Sequence, residues 1–114
     1  MNRAAVRIGQ TALLAVVFAL MFGSVARAAD DTAAVYKAKC ETCHAKDGSG
    51  NTDMGKSMKA KDLRSPEIQK MTDAQLLDVI TKGKGETMPA YKGKLTDAQI
   101  KALVTYVRGF AKKS

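Results

Sequence analysis

Residues 40–44 read Cys40-Glu41-Thr42-Cys43-His44, and this stretch decides how the rest of the chain is read. Two thiols three positions apart can each add to one of the two vinyl groups on a porphyrin edge, and C-x-x-C-H is the pattern to which c-type haem is covalently attached. The next residue, His44, then lies beneath the ring and can offer an imidazole nitrogen to the iron. Two other chemistries use close cysteines. A thioredoxin-like redox pair needs a βαβ setting, and this chain shows almost no strand pattern. A structural zinc site takes four ligands, whereas the whole chain has two cysteines and one histidine, adjacent in sequence and with no second C-x-x-C.

Upstream of the motif, Arg3 and Arg7 precede an apolar run from Thr11 to Phe22, and Ala26-Arg27-Ala28 is a small-residue cleavage signature. That order describes a secretory signal peptide, residues 1–28, cut after Ala28. The run is shorter than the roughly 20 apolar residues of a permanent span, and nothing after Phe22 is comparably apolar. The expectation is a soluble periplasmic protein without a permanent membrane anchor, made of one domain over residues 29–114. Export carries both cysteines to an oxidising compartment, where bare thiols tend to pair; haem attachment uses both.

Without its leader the chain keeps sixteen Lys plus Arg against eleven Asp plus Glu, a formal charge of +5. A domain of this size is marginal without a staple, and a large apolar disc tied at two points supplies one. Nucleic-acid binding is a poor fit, since the only aromatics after the leader are Tyr36, Tyr91, Tyr106 and Phe110, too few to spare as a base-stacking platform.

The remaining sequence reads as helices joined by Gly/Lys-rich loops. Asp30 or Asp31 can cap a helix running to Lys39. Residues 45–62 are rich in Lys, Asp, Gly, Ser and Asn and read as a wrapping loop, with a short turn at Asp62-Leu63. Ser65-Pro66 is an N-cap followed by Pro at the first helical position, predicting a short helix over 66–71. Thr72-Asp-Ala-Gln75 and Thr96-Asp-Ala-Gln99 are the same tetrapeptide, each a capping box that starts a helix. The first continues through Leu76, Leu77 and Ile80 and stops at Gly83. The second carries Ile100, Leu103, Val104, Val107 and Phe110 as an apolar stripe. Three to five helices and no convincing strand make an all-α fold.

His44 occupies one axial position of the iron in this reading, and its other ring nitrogen needs an orienting acceptor. A second histidine does not exist, so methionine is the obvious sixth ligand. Met71 ends a short helix and reads as core. Met54 and Met58 fall in the 45–62 loop, where each can pack on the haem edge. Met88 lies in Gly83-Lys-Gly-Glu-Thr-Met88-Pro89, where Pro89 restricts it to an extended backbone. Met88 is the candidate distal ligand, with Met58 and then Met54 in reserve.

Tyr36-Lys-Ala-Lys-Cys40-Glu-Thr-Cys43-His44, Met88-Pro-Ala-Tyr91 and Leu95-Thr-Asp-Ala-Gln-Ile-Lys-Ala-Leu-Val-Thr-Tyr106-Val107 together resemble the class I cytochromes c of the small bacterial monohaem kind, over essentially all of residues 30–112. The resemblance implies a cytochrome c fold around one covalently bound haem c, and electron transfer rather than enzymatic oxygen chemistry. It also implies that the first and last helices cross, setting Ala33 and Tyr36 against Val104, Tyr106 or Val107. One departure stands out. Many members carry a Gly-Pro after the haem motif whose carbonyl accepts the histidine N–H, and residues 45–61 contain no Pro. The acceptor is therefore expected among the carbonyls of Met54 to Ser57.

The function expected is that of a monomeric electron carrier cycling Fe(III)/Fe(II) at a His/Met-ligated haem. The alternative is a dedicated haem subunit or small-ligand sensor of a periplasmic redox system. Fourteen lysines, with Lys82, Lys84, Lys92 and Lys94 flanking the Met88 loop, suit an acidic redox partner.

Overall fold

Side-chain hydroxyls start four of the helices. Thr52, Ser65, Thr72 and Thr96 stand as N-caps in extended conformation, and their oxygens accept the amides of Gly55, Ile68, Gln75 and Gln99. Each cap satisfies one of the amides that the first helical turn leaves without a partner. At Thr72 and Thr96 the box is closed from both sides, the Gln75 and Gln99 side chains accepting the cap amides at 2.9 and 2.8 Å.

The computed structural model describes residues 31–113. The leader, its cleavage site and the capping role of Asp30 lie outside the described residues. In order, α1 covers 31–39, α2 Glu41–His44, α3 Asp53–Met58, α4 Pro66–Gln69, α5 Asp73–Lys82 and α6 Asp97–Arg108, followed by a 3₁₀ turn over Gly109–Lys113. Among the described residues the β pairing amounts to two isolated bridges, Lys84 with Met88 and Lys92 with Leu95. The architecture is the expected all-α one. No helix among these residues is long and apolar enough to cross a membrane.

One element differs from expectation. The 45–62 segment is not loop throughout: it contains α3, which places Met54 and Met58 on a helix. Composition hid it, because Asp-Met-Gly-Lys-Ser-Met has neither strong helix propensity nor an apolar stripe. Its nucleus is tertiary. The Thr52 hydroxyl that caps it also donates to the Thr42 carbonyl at 2.6 Å, fixing the helix start to α2, and Lys59 in the left-handed region ends it.

The apolar interior has two parts, and α6 serves both. Tyr36, Leu103 and Phe110 form one cluster, with the Tyr36 ring 4.8 Å from Tyr106 and 5.3 Å from Phe110. Ile68, Leu76, Val104 and Val107 form the other. The predicted stripe of α6 is buried throughout, but it is divided. Leu103, Tyr106 and Phe110 follow one helical face toward α1, while Val104 and Val107 are turned about 100° per residue away from it and pack on α4 and α5. Tyr36 thus meets Tyr106 as expected, Val104 and Val107 cluster with Ile68 and Leu76, and Ala33 is exposed.

A polar clamp holds the C-terminal end of α6 over the corner between α4 and α5. The Gln69 amide donates to the carbonyls of Leu63 at 2.7 Å and Val107 at 3.0 Å. Arg108 forks onto Asp73 Oδ1 through Nε (3.0 Å) and Nη2 (2.9 Å), and also donates to the carbonyls of Gln69 and Met71. Hydrogen bonds to charged groups contribute about 1.5–3 kcal/mol; with Asp73 exposed, the lower end applies. Arg108→Ala is expected to lower the unfolding free energy of the haem-loaded protein by about 1–2 kcal/mol in urea titrations. Arg108→Lys recovers only part of it, because an ammonium cannot fork.

Candidate functional site

The motif residues are placed by the break between α1 and α2. Cys40 ends α1, its amide bonded to the Tyr36 carbonyl at 2.8 Å, and its own carbonyl accepts the amides of Cys43 (3.2 Å) and His44 (2.9 Å). The Tyr36 hydroxyl donates to the Ala45 carbonyl at 2.7 Å, so the turn that follows the motif is tied back to α1. Burial pushes the Tyr36 pKa upward, which keeps that hydroxyl a donor.

His44 is oriented by a contact the sequence did not indicate. Its Nδ1 lies 3.0 Å from the carbonyl of Lys61, which makes Nδ1 the protonated nitrogen and leaves Nε2 with its lone pair. Desolvation lowers the His44 pKa, opposed in part by the Lys61 contact, so the ring is held neutral, the form that binds a metal. The expectation of an acceptor within Met54–Ser57 is corrected. Those residues belong to α3, where the Gly55 and Lys56 carbonyls are spent on ending the helix, and the carbonyl that meets the His44 ring comes only after the Lys59 turn. Gly55 lets this helix lie flush on the motif: a Cβ there would run into the carbonyl oxygens of Cys43 and Gly50.

Cys40, Cys43 and His44 line a cavity of about 270 Å³, together with Met58, Met71 and Met88. Ile68, Leu76, Ile80 and Leu103 contribute to its apolar wall. Met71 therefore does two jobs, packing beside Ile68 and facing the cavity. Met54, a reserve ligand in the sequence reading, is absent from the lining and 47% exposed. Cys40 and Cys43 are not joined in a disulfide, and burial, followed by the neighbouring Cys43, pushes Cys40 as a thiol up to about 11. Among the described residues no three His, Cys, Asp or Glu side chains converge as a bare metal site. Paired thiols, a neutral imidazole, soft thioethers and an apolar wall fit a flat porphyrin carrying its own iron.

Met88 is delivered by a strap that leaves α5 at Gly83. Lys84 and Met88 bond to each other in both directions, at 3.0 and 3.2 Å, and the amides of Tyr91 and Lys92 return to the carbonyls of Ile80 (3.1 Å) and Thr81 (3.0 Å) on α5. The Tyr91 hydroxyl reaches the Lys39 carbonyl at 2.9 Å. Sequence reasoning missed Lys61 and Thr52 as parts of the site, and it held Tyr91 only as the end of the Met88-Pro-Ala-Tyr91 stretch, without its contact to Lys39. Only Thr52 left a local signal, a hydroxyl three residues before Gly55; the other two act across the fold.

An all-α shell whose cysteine pair, imidazole and methionine strap share one apolar cavity defines a small class I monohaem cytochrome c, a haem-based electron carrier whose cofactor is haem c. The chain belongs to the family described as cytochrome c oxidase, cbb3-type, subunit III, whose model matches residues 27–107. It is 38% identical over 79 residues to cytochrome c6 of Leptolyngbya boryana, covering 69% of this chain and 88% of that one. It is 37% identical over 97 residues to cytochrome c6 of Nostoc sp., covering 82% and 83%. To the cbb3-type cytochrome c oxidase subunit FixP of Azorhizobium caulinodans it is 35% identical over 80 residues, 70% of this chain but 26% of that subunit. The chain thus spans about a quarter of that oxidase subunit and most of the cytochromes c6. The solved structure of the KustC0563 c-type cytochrome superposes with a TM-score of 0.64 at 39% identity, over 68% of this chain and 94% of that one.

Gly83 sets the geometry of the strap, with φ at +75° and a would-be Cβ 2.5 Å from the Met88 oxygen and 2.8 Å from Ala90 N. Both obstacles are backbone. Gly83→Ala is expected to destabilise the protein by at least about 1 kcal/mol and to strip the Met88 amide of its hydrogen-exchange protection, while the amides of α6 keep theirs.

Proposed function

We propose that the chain is a soluble periplasmic electron carrier, monomeric and exported by a cleaved leader of residues 1–28, with residues 29–114 as its haem domain. In this reading Cys40 and Cys43 hold the haem as thioethers, and His44 and Met88 are the axial ligands. The observation that carries the reading is that all four side chains line the same apolar cavity.

Bound there, haem c supplies a one-electron Fe(III)/Fe(II) couple. The residues around it settle how that couple behaves. His44 brings Nε2 as a neutral donor whose orientation the Lys61 carbonyl holds. Met88 brings a soft sulfur that favours the reduced metal, and the apolar wall disfavours the additional positive charge of the oxidised one; both raise the reduction potential. With His44 and Met88 in place no coordination position is left for O₂ or peroxide, so the site passes electrons without substrate chemistry. The strap and the Lys61 contact are internal hydrogen bonds that need not change between oxidation states.

Charge supports an acidic partner. Lys39, Lys59, Lys61 and Lys84 line the cavity with a single carboxylate, Glu67. Lys61 is paired with Glu67 at 3.2 Å and Lys82 with Asp78 at 2.7 Å, so Lys39, Lys59 and Lys84 are the stronger contributors. The family match favours a second reading, in which this haem domain serves a terminal oxidase as a dedicated electron donor. Both readings share the site and differ in the partner.

Met88→Ala is expected to abolish the red-edge absorption band from thioether sulfur to ferric iron and to lower the reduction potential, while Met58→Ala leaves both in place. The reverse pattern would assign the sulfur ligand to Met58. Association rates with an acidic redox partner should fall as ionic strength rises; a flat salt dependence removes the lysines from recognition.

A further inference from the structure

We infer that Tyr91 is a latch that positions Met88, its hydroxyl locking the methionine strap against the end of α1; this rests on the reading of Met88 as an axial ligand. The strap is anchored in two places. One is α5, through the backbone bonds from Tyr91 to Ile80 and from Lys92 to Thr81. The other is the Tyr91 hydroxyl on the Lys39 carbonyl, 2.9 Å apart and 52 residues distant in sequence.

That carbonyl is the one the helix break leaves over. In an uninterrupted helix the Lys39 oxygen would accept the amide of Cys43, but that amide turns to the Cys40 carbonyl instead, at 3.2 Å. The Tyr91 phenol takes its place. Tyr91 is 8% exposed and lines the same cavity as Met88 and Cys40. It therefore joins the residue immediately before the first thioether cysteine to the loop that carries the distal sulfur. Without the hydroxyl the strap keeps its α5 anchor but can swing from α1, and the Lys39 carbonyl loses its partner in the fold.

The consequence concerns what can displace Met88. A small imidazole-type ligand reaches ferric iron only when the strap opens, so its apparent affinity reports the open fraction. Losing one part-buried hydrogen bond that exists only in the closed strap raises that fraction about fivefold to tenfold. Tyr91 does not touch the iron in this account; it acts through Met88.

The experiment measures imidazole binding to the oxidised, haem-loaded protein, with the red-edge band and the urea midpoint recorded on the same samples. Tyr91→Phe is expected to keep the band in the absence of imidazole and to bind imidazole about fivefold to tenfold more tightly than the parent. Arg108→Ala, which loosens the fold away from the strap, controls for general destabilisation and should leave imidazole affinity within twofold. An unchanged affinity in Tyr91→Phe, or an equal rise in Arg108→Ala, overturns the latch. Met88→Ala separates the two failures. If it opens the site to imidazole and Tyr91→Phe does not, the latch alone falls; if Met88→Ala itself leaves the affinity unchanged, the ligand reading falls and takes the latch with it.

Discussion

The contact between His44 Nδ1 and the Lys61 carbonyl, 3.0 Å across seventeen positions of sequence, is the constraint on which the site depends. It selects the tautomer, aims Nε2 and requires the intervening chain to return to its starting point. Everything between 45 and 61 is arranged to make that return. Gly50 donates its amide to the His44 carbonyl at 2.7 Å, the Leu63 amide reaches the Gly48 carbonyl at 2.7 Å, and α3 lies against the motif because Gly55 has no side chain. A loop held only by its ends would give the imidazole rotational freedom; this one is pinned inside its span at Gly48, Gly50 and Gly55.

Helix α6 performs the corresponding task for the rest of the molecule. It brings Leu103 and Tyr106 to α1, where Phe110 of the following 3₁₀ turn joins them, and Val104 and Val107 to α4 and α5, so the two walls of the cavity are referred to one rigid rod. The clamp of Gln69 and Arg108 adds direction to that packing. Hydrophobic burial is insensitive to small rotations, whereas a guanidinium forked between a carboxylate and two carbonyls fixes where the rod ends.

The helical framework was legible because its signals are local. Capping boxes are complete within four residues, and the apolar stripe of α6 within eleven. The motif announced the cofactor for the same reason. What stayed hidden was every feature made by a partner distant in sequence. The α3 helix is nucleated by a threonine that leans on α2, the His44 acceptor is a backbone carbonyl that no side chain marks, and Tyr91 looks like ordinary core until its hydroxyl meets Lys39. The division of the α6 stripe was hidden in another way: periodicity shows which residues turn inward, but not which neighbour each one meets.

The same distinction supports the proposal of Met88 rather than Met58 as the distal ligand, although both line the cavity. If His44 and Met88 were to hold the iron as proposed, each would come from a segment anchored independently of the other. Met58 is the last residue of α3, three positions before the Lys61 carbonyl that holds His44, and its backbone is committed to the proximal loop. Its sulfur is therefore carried by the same stretch of chain as the acceptor of His44 Nδ1. Met88 is free of that conflict. Its strap is fastened to α5 and to the end of α1, and Pro89 stiffens it without costing a backbone donor that the strap uses. Two ligands mounted on separately anchored segments can each be held rigid without strain passing between them, which is what a centre that must keep one geometry in two oxidation states requires.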